Sequence, residues 1–182
     1  MTDSNSSSPS ISQERPILLA IETSHRQGAV ALGYCHEDSK SEAEAEVLFS
    51  PGLVHGRELQ SRIDEIFKAQ KVTKEQLGLI AVSAGPGSFT GMRIGVAACK
   101  ALAWALNCAC LKVSTLAAIS LNAQQEGEFA VILDARRHAL YGARFSCKRL
   151  GEQWVIERVT EDGLHKPEAF FESLPAGCYL VG

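Results

Sequence analysis

A chain of 182 residues, 46% apolar and 21% charged, is long enough for one ordinary domain or two small ones and has a soluble globular composition. Its net charge of −3 points to neither a nucleic-acid nor a membrane surface, and argues against this chain being the main RNA binder of any complex. Six cysteines, at 35, 99, 108, 110, 147 and 178, form no CxxC pair and lack zinc-ribbon spacing; with no signal-peptide pattern, they read as reduced thiols in a cytoplasmic protein.

The first segment, "MTDSNSSSPSISQERP" (1–16), is polar and serine-rich and reads as a disordered tail. "ILLAIETS" (17–24) is an apolar run ending in an acid, and with "GAVALGY" (28–34) it makes a hairpin of buried strands. "AEVLFS" (45–50) is a third strand. "HGRELQSRIDEIFKAQ" (55–70) sets Leu59, Ile63, Ile66 and Phe67 on one helical face with charges opposite. "LGLIAVSAG" (77–85) is a buried strand, followed by a glycine-rich loop and the helix "GMRIGVAACKALAWALN" (91–107). The strand "ACLKVST" (109–115) and the helix "LAAISLNAQQ" (116–125) come next, so helices pack on a mixed sheet. "FAVILDARRHALYGARF" (129–145) then repeats the opening pattern, with Glu22 and Asp134 at matching places. A single repeated hairpin can arise by chance. A real repeat implies two similar halves, the plan of the actin-like and sugar-kinase-like ATPases, with ligand between them.

The loop fails both nucleotide tests. A Walker A motif requires a second glycine at 90 and a lysine after it, but Thr90 stands there and the next lysine is Lys100. The Rossmann fingerprint requires GxGxxG, whereas Gly85, Gly87 and Gly91 are spaced GxGxxxG, and no acid lies between Glu75 and Glu126 to hold a ribose. Gly85, Pro86, Gly87, Ser88, Phe89, Thr90, Gly91 and Arg93 instead read as a shaped helix start. The glycines allow positive φ and close backbone approach, Pro86 stiffens the turn, and Ser88 or Thr90 caps the helix. An anion at the helix start near Arg93 remains open. Gly91, Gly95, Cys99 and Ala103 recur every fourth residue, a smooth stripe suited to close helix packing. The rest of this helix is apolar nearly all round, so it lies in a core or under a partner; Lys100 at its middle disfavours a membrane span.

"LLAIETS", "GAVAL", "HGRELQSRIDEI", "AVSAGPGSFTGMRIGVAACKALA", "VSTLAA" and "VILDARRHALYGARF" resemble, in order, the blocks of the TsaB (YeaZ) family over about residues 17–145, with a weaker echo at "YLVG". The GPGSFTG-x-R-x-G block is highly specific. These are accessory proteins of bacterial tRNA threonylcarbamoyladenosine synthesis. The resemblance implies an α/β, actin-like (ASKHA, ribonuclease H-like) fold that has lost its catalytic machinery, with ATP and metal on the partners and no cofactor on this chain. It implies a heterodimer with a homologous TsaD-type transferase through a four-helix bundle of first-half helices, joined by a TsaE-type ATPase and supplied by a TsaC-type enzyme. tRNA is then reached indirectly through the complex, with no membrane involved. The docking residues would be Leu59, Ile63 and Phe67 on the first helix and Met92, Gly95, Cys99 and Ala103 on the second.

The residues fit that loss of chemistry. The catalytic relative holds metal through two histidines four apart, whereas His55 is followed at that spacing by Leu59. His25, His36, His55, His138 and His165 suggest no triad and read as surface or capping residues, and Glu22 and Asp134 either cap turns or flank a metal-nucleotide. Two departures stand out: Glu22 where the family has Asp, and an ending at Gly182 that leaves the second half (122–182) incomplete beside the first (17–121). Two other functions compete, an active actin-fold enzyme (kinase-like or glycoprotease-like) and a self-associating dimer. The single histidine and the acid-free 76–125 segment disfavour the enzyme.

Overall fold

The computed structural model describes residues 16–34, 43–52 and 55–182. The expected tail, apart from Pro16, lies outside them, as do Cys35 and His36. The first sheet has the order β3-β2-β1-β4-β5, built from β1 (Ile17–Glu22), β2 (Ala29–Tyr34), β3 (Ala43–Leu48), β4 (Leu77–Ser83) and β5 (Ala109–Val113). β1, β2 and β3 are antiparallel neighbours, while β4 and β5 run parallel to β1. Alternation along β1 turns Ile17, Leu19 and Ile21 into the core. Helix α1 (His55–Ala69) covers that face with Leu59, Ile63, Ile66 and Phe67, and keeps Arg62 outside, paired with Glu58 and Glu65. Helix α2 (Phe89–Leu106) packs beside it on β4 and ends at Asn107, whose left-handed φ of 51° closes the last turn.

The second sheet repeats this path. β6 (Gly127–Arg136), β7 (Ala139–Leu150) and β8 (Gln153–Arg158) are antiparallel neighbours, and β10 (Tyr179–Val181) runs parallel to β6 in the order β10-β6-β7-β8. β6 thus stands for β1, β7 for β2, β8 for β3 and β10 for β4. This is the actin-like fold of two similar halves, and the repeated hairpin is a repeated sheet. The copy is lighter: the six-residue α4 (Pro167–Glu172) replaces α1, a short β9 (Gly163–His165) is added beside β7, and the described residues hold no counterpart of β5. The second core stacks Phe129 between Phe145 and Tyr179 at ring separations of 5.6 and 5.2 Å.

Three sequence expectations change. α2 starts two residues early, because Ser88 rather than Thr90 is its cap. The helix expected over 116–125 is only α3 (Thr115–Ser120), and its Leu116 packs into the second core rather than the first. β8, β9 and α4 were not recognised from the sequence at all.

Candidate functional site

The two β-hairpins open toward each other, and their turns use the same device. The Glu22 carboxylate accepts the Ser24 backbone N–H, and the Asp134 carboxylate accepts that of Arg136 at 2.7 Å. Both acids therefore cap turns at strand ends. Burial pushes the Glu22 carboxyl up, but hydrogen bonds from the His25 and Ser24 side chains outweigh it and hold the pKa below the ordinary 4.5. The second turn is the more strained, with Arg136, Arg137 and His138 all at left-handed φ of 63°, 51° and 58°.

The glycine-rich loop closes on the first of these turns. Ser88 N–H donates to the Ser24 carbonyl at 2.7 Å, Thr115 N–H to the Gly85 carbonyl at 2.8 Å, and Thr115 Oγ1 to Ser24 Oγ at 3.2 Å. Gly85 sits at φ +102°, open to glycine and hardly to any other residue. Ser88 Oγ then accepts the Gly91 N–H at 3.2 Å and caps α2. The start of α2 rests directly on the end of β1: Thr23 Oγ1 donates to the Gly91 carbonyl at 2.8 Å, and a Cβ on Gly91 would fall inside the Thr23 carbonyl oxygen. A Cβ on Gly95 would likewise run into Thr23 Oγ1, with Val82 Cγ2 only 3.3 Å away. The loop's hydrogen bonds hold this chain together, and Arg93 stacks over Phe89 at 5.6 Å rather than lining the cleft.

This corrects the expected docking residues. Gly91, Gly95, Cys99 and Ala103 are buried against this protein's own sheet, and Leu59, Ile63 and Phe67 are buried in the same core. Met92 is half-buried beside Gly85. The reason is physical: an apolar sheet face must be covered, and small residues let α2 approach it closely. What α2 leaves outside is the opposite face, with Phe89 70% and Trp104 88% exposed and Arg93, Ala97, Lys100 and Ala101 also exposed. α2 is long and apolar enough to cross a membrane by length and composition alone.

Between the halves lies a cleft of about 1050 Å³, lined by Ser24, His25 and Arg26 on one side, by the loop from Gly87 to Gly91 at its base, and by Asp134, Arg136 and Tyr141 on the other. His55 forms part of its floor. It is 2% exposed, its Nε2–H donates to the His25 carbonyl at 2.7 Å, and the buried Nδ1 has no hydrogen-bond partner among the described residues. His55 is therefore an internal strut between α1 and the first turn, not the surface or capping residue expected of a lone histidine. Among the described residues no three His, Cys, Asp or Glu side chains gather in a way that could hold a metal ion. Sequence reasoning missed the polar clamp of Thr23, Ser24 and Thr115, all buried; the signal was the "TS" that ends the first apolar run.

A family model described as "TsaD: tRNA N6-adenosine threonylcarbamoyltransferase" matches residues 53–176. The chain is 31% identical to "tRNA threonylcarbamoyladenosine biosynthesis protein TsaB" of Bacillus subtilis, across 80% of this chain and 60% of that protein. It is 30% identical to the protein of the same name from Haemophilus influenzae, across 86% of this chain and 67% of that protein. The structure of "YeaZ from Pseudomonas aeruginosa" superposes with a TM-score of 0.76 at 26% identity, covering 92% of this chain and 76% of that one. The chain therefore spans between 60% and 67% of the length of these two curated relatives.

Proposed function

The chain belongs to the TsaB (YeaZ) family, and from that membership we propose that it acts as a non-catalytic subunit in tRNA threonylcarbamoyladenosine synthesis, docking a homologous TsaD-type transferase. The observation that carries this reading is the outward face of α2. Phe89 and Trp104 stand in solvent on a helix whose inner face is already committed to the sheet. Large aromatics so exposed are the residue type that anchors interfaces. Burying each contributes about 1.5–3 kcal/mol.

The rest of the chain serves that face. The clamp of Thr23, Ser24 and Thr115 fixes the loop, the loop fixes the start of α2, and α1 braces α2 from the side. A rigid helix loses little freedom on docking. The transfer chemistry belongs to the partners: ATP and metal sit on the TsaD-type and TsaE-type proteins, and this chain reaches tRNA only through the complex. Glu22 and Asp134 support this division, since both spend their carboxylates on backbone turns.

Co-expression with the TsaD-type protein of the same cell, followed by size-exclusion chromatography, tests the reading. Wild type is expected to co-elute, and Trp104→Glu to elute alone while melting as wild type does. Truncating an interface aromatic costs about 2 kcal/mol or more, roughly thirtyfold in affinity. Co-elution unchanged in both Trp104→Glu and Ala101→Glu would overturn it. A wild-type chain that forms only its own dimer, lost in the same variants, would assign the face to self-association instead.

A further inference from the structure

The C-terminal half of α2 and the start of β5 gather three thiols that the proposed function does not use. Cys99 lies on the buried stripe, 1% exposed, with Sγ 4.0 Å from the Ile80 carbonyl oxygen of β4. Ile80 is the register partner of Cys110 in the parallel β4–β5 pair, so Cys110 sits one strand further out beneath the same stretch of α2. Cys110 is the neighbour that, after burial, does most to push the Cys99 thiol up. Cys108, which follows the left-handed Asn107, pushes the Cys99 thiol up less than Cys110 does. Cys110 is exposed on the edge strand, Cys108 is half-buried, and all three are free thiols.

We propose that Cys110 and Cys99 form a peroxide-sensitive thiol pair, in which exposed Cys110 is oxidised first and buried Cys99 closes a disulfide that ties α2 to β5. The co-reactant is a hydroperoxide. The Cys110 thiolate attacks its terminal oxygen, the O–O bond breaks, and Cys110 sulfenic acid and an alcohol (water, for hydrogen peroxide) result. The Cys99 sulfur then attacks the sulfenic sulfur, the S–O bond breaks, water leaves and the S–S bond forms. In total two thiols give up two electrons and two protons, and the peroxide is reduced to alcohol and water.

The division of roles follows from position. Burial, reinforced by Cys110, pushes the Cys99 thiol up to about 11, so it is a poor first nucleophile and waits for its partner. Its thiolate fraction, and with it the closing step, rises about tenfold per pH unit below that value.

The full-length chain is treated with hydrogen peroxide, alkylated, digested with trypsin and read by mass spectrometry. Cleavage after Arg93, Lys100 and Lys112 puts Cys99 in peptide 94–100 and both Cys108 and Cys110 in peptide 101–112. The expected product joins these two peptides and is two hydrogens lighter than their sum. It should disappear with dithiothreitol, persist in Cys108→Ser, and be absent from Cys110→Ser and Cys99→Ala. In Cys99→Ala, dimedone should trap sulfenic acid on Cys110. A link that survives in Cys110→Ser, a disulfide within peptide 101–112, or wild-type Cys110 over-oxidised as fast as in Cys99→Ala would each overturn the proposal.

Discussion

Replacing Gly91 by Ala tests whether the glycine-rich segment exists for close approach. Gly91 lies in the first turn of α2, where alanine would ordinarily be favoured by about 1 kcal/mol. Here the added Cβ falls inside the Thr23 carbonyl oxygen, a backbone atom fixed by β1, so the helix must move away from the strand. Overpacking of this kind costs about 1–3 kcal/mol. The shift also loosens two hydrogen bonds, Thr23 Oγ1 to the Gly91 carbonyl at 2.8 Å and Ser88 N–H to the Ser24 carbonyl at 2.7 Å. Each is worth about 0.5–1.5 kcal/mol. Set against the gain in helix propensity, the net loss is about 1–5 kcal/mol. For a chain of this size that lowers the midpoint of a thermal melt by roughly 2–20 °C. Gly56→Ala in α1 is the control: its nearest neighbour, Ile94 Cδ1, would be 3.6 Å from the new Cβ, so no loss is expected. Circular dichroism melts of the two variants beside wild type decide the matter. If Gly91→Ala melts within a degree of wild type, the contact between α2 and Thr23 does not constrain the fold and the account of the loop fails.

Because its folded pKa lies below the ordinary 4.5, the Glu22 carboxylate stabilises the fold above that pH, and its contribution is lost as pH falls from 4.5 through the lower folded value. Glu22→Gln should therefore lower stability at pH 7 and flatten the decline between neutral and acid pH; an unchanged acid slope in urea titrations would count against it. His55→Ala removes the bond to the His25 carbonyl and opens a buried space, and is expected to cost about 2–4 kcal/mol in a denaturant titration. The purified chain alone should turn over no ATP in a coupled assay; turnover that vanishes in Glu22→Ala or Asp134→Ala would make those acids catalytic rather than turn caps.

The strongly periodic segments were legible before any coordinates. β1, β2 and β4 are short apolar runs bounded by turn residues, while α1 and α2 carry their patterns over 15 and 18 residues, a length that only a helix fits. β8 and β9 are different: "QWVIER" lies at the sheet edge with three of its six residues exposed, and β9 has three residues, too few to show a period. The repeat was visible as one hairpin, but its extension to β8 and β10 rests on pairing partners far apart in sequence. His55 misled because a lone histidine is usually wet, and nothing local shows that Phe49 and the His25 carbonyl will enclose it. The small-residue stripe announced a close approach correctly without saying to what.

The outward face of α2 also sets the charges that a docked partner would meet. At about 100° per residue, Phe89, Arg93, Ala97, Lys100 and Trp104 fall within roughly 80° of one another, nearly opposite the stripe. The exposed face therefore carries two cations among its apolar residues. Neither Arg93 nor Lys100 has an ion-pair partner among the described residues, and no acid occurs between Glu75 and Glu126 to supply one nearby. A partner that covers Trp104 must meet these charges, and a carboxylate opposite each is the arrangement that does not leave a cation stranded. Exposed pairs of this kind contribute about 0.2–1 kcal/mol each, so the two together make at most about a thirtyfold difference in affinity. They are also screened: the Debye length falls from about 10 Å at 0.1 M salt to about 3 Å at 1 M. Binding to the TsaD-type partner, followed by calorimetry, should weaken severalfold across that range in wild type and much less in Arg93→Gln, Lys100→Gln. Affinity that holds or rises with salt in wild type would mean that the cations stay outside the interface, and that the docked face is not this one.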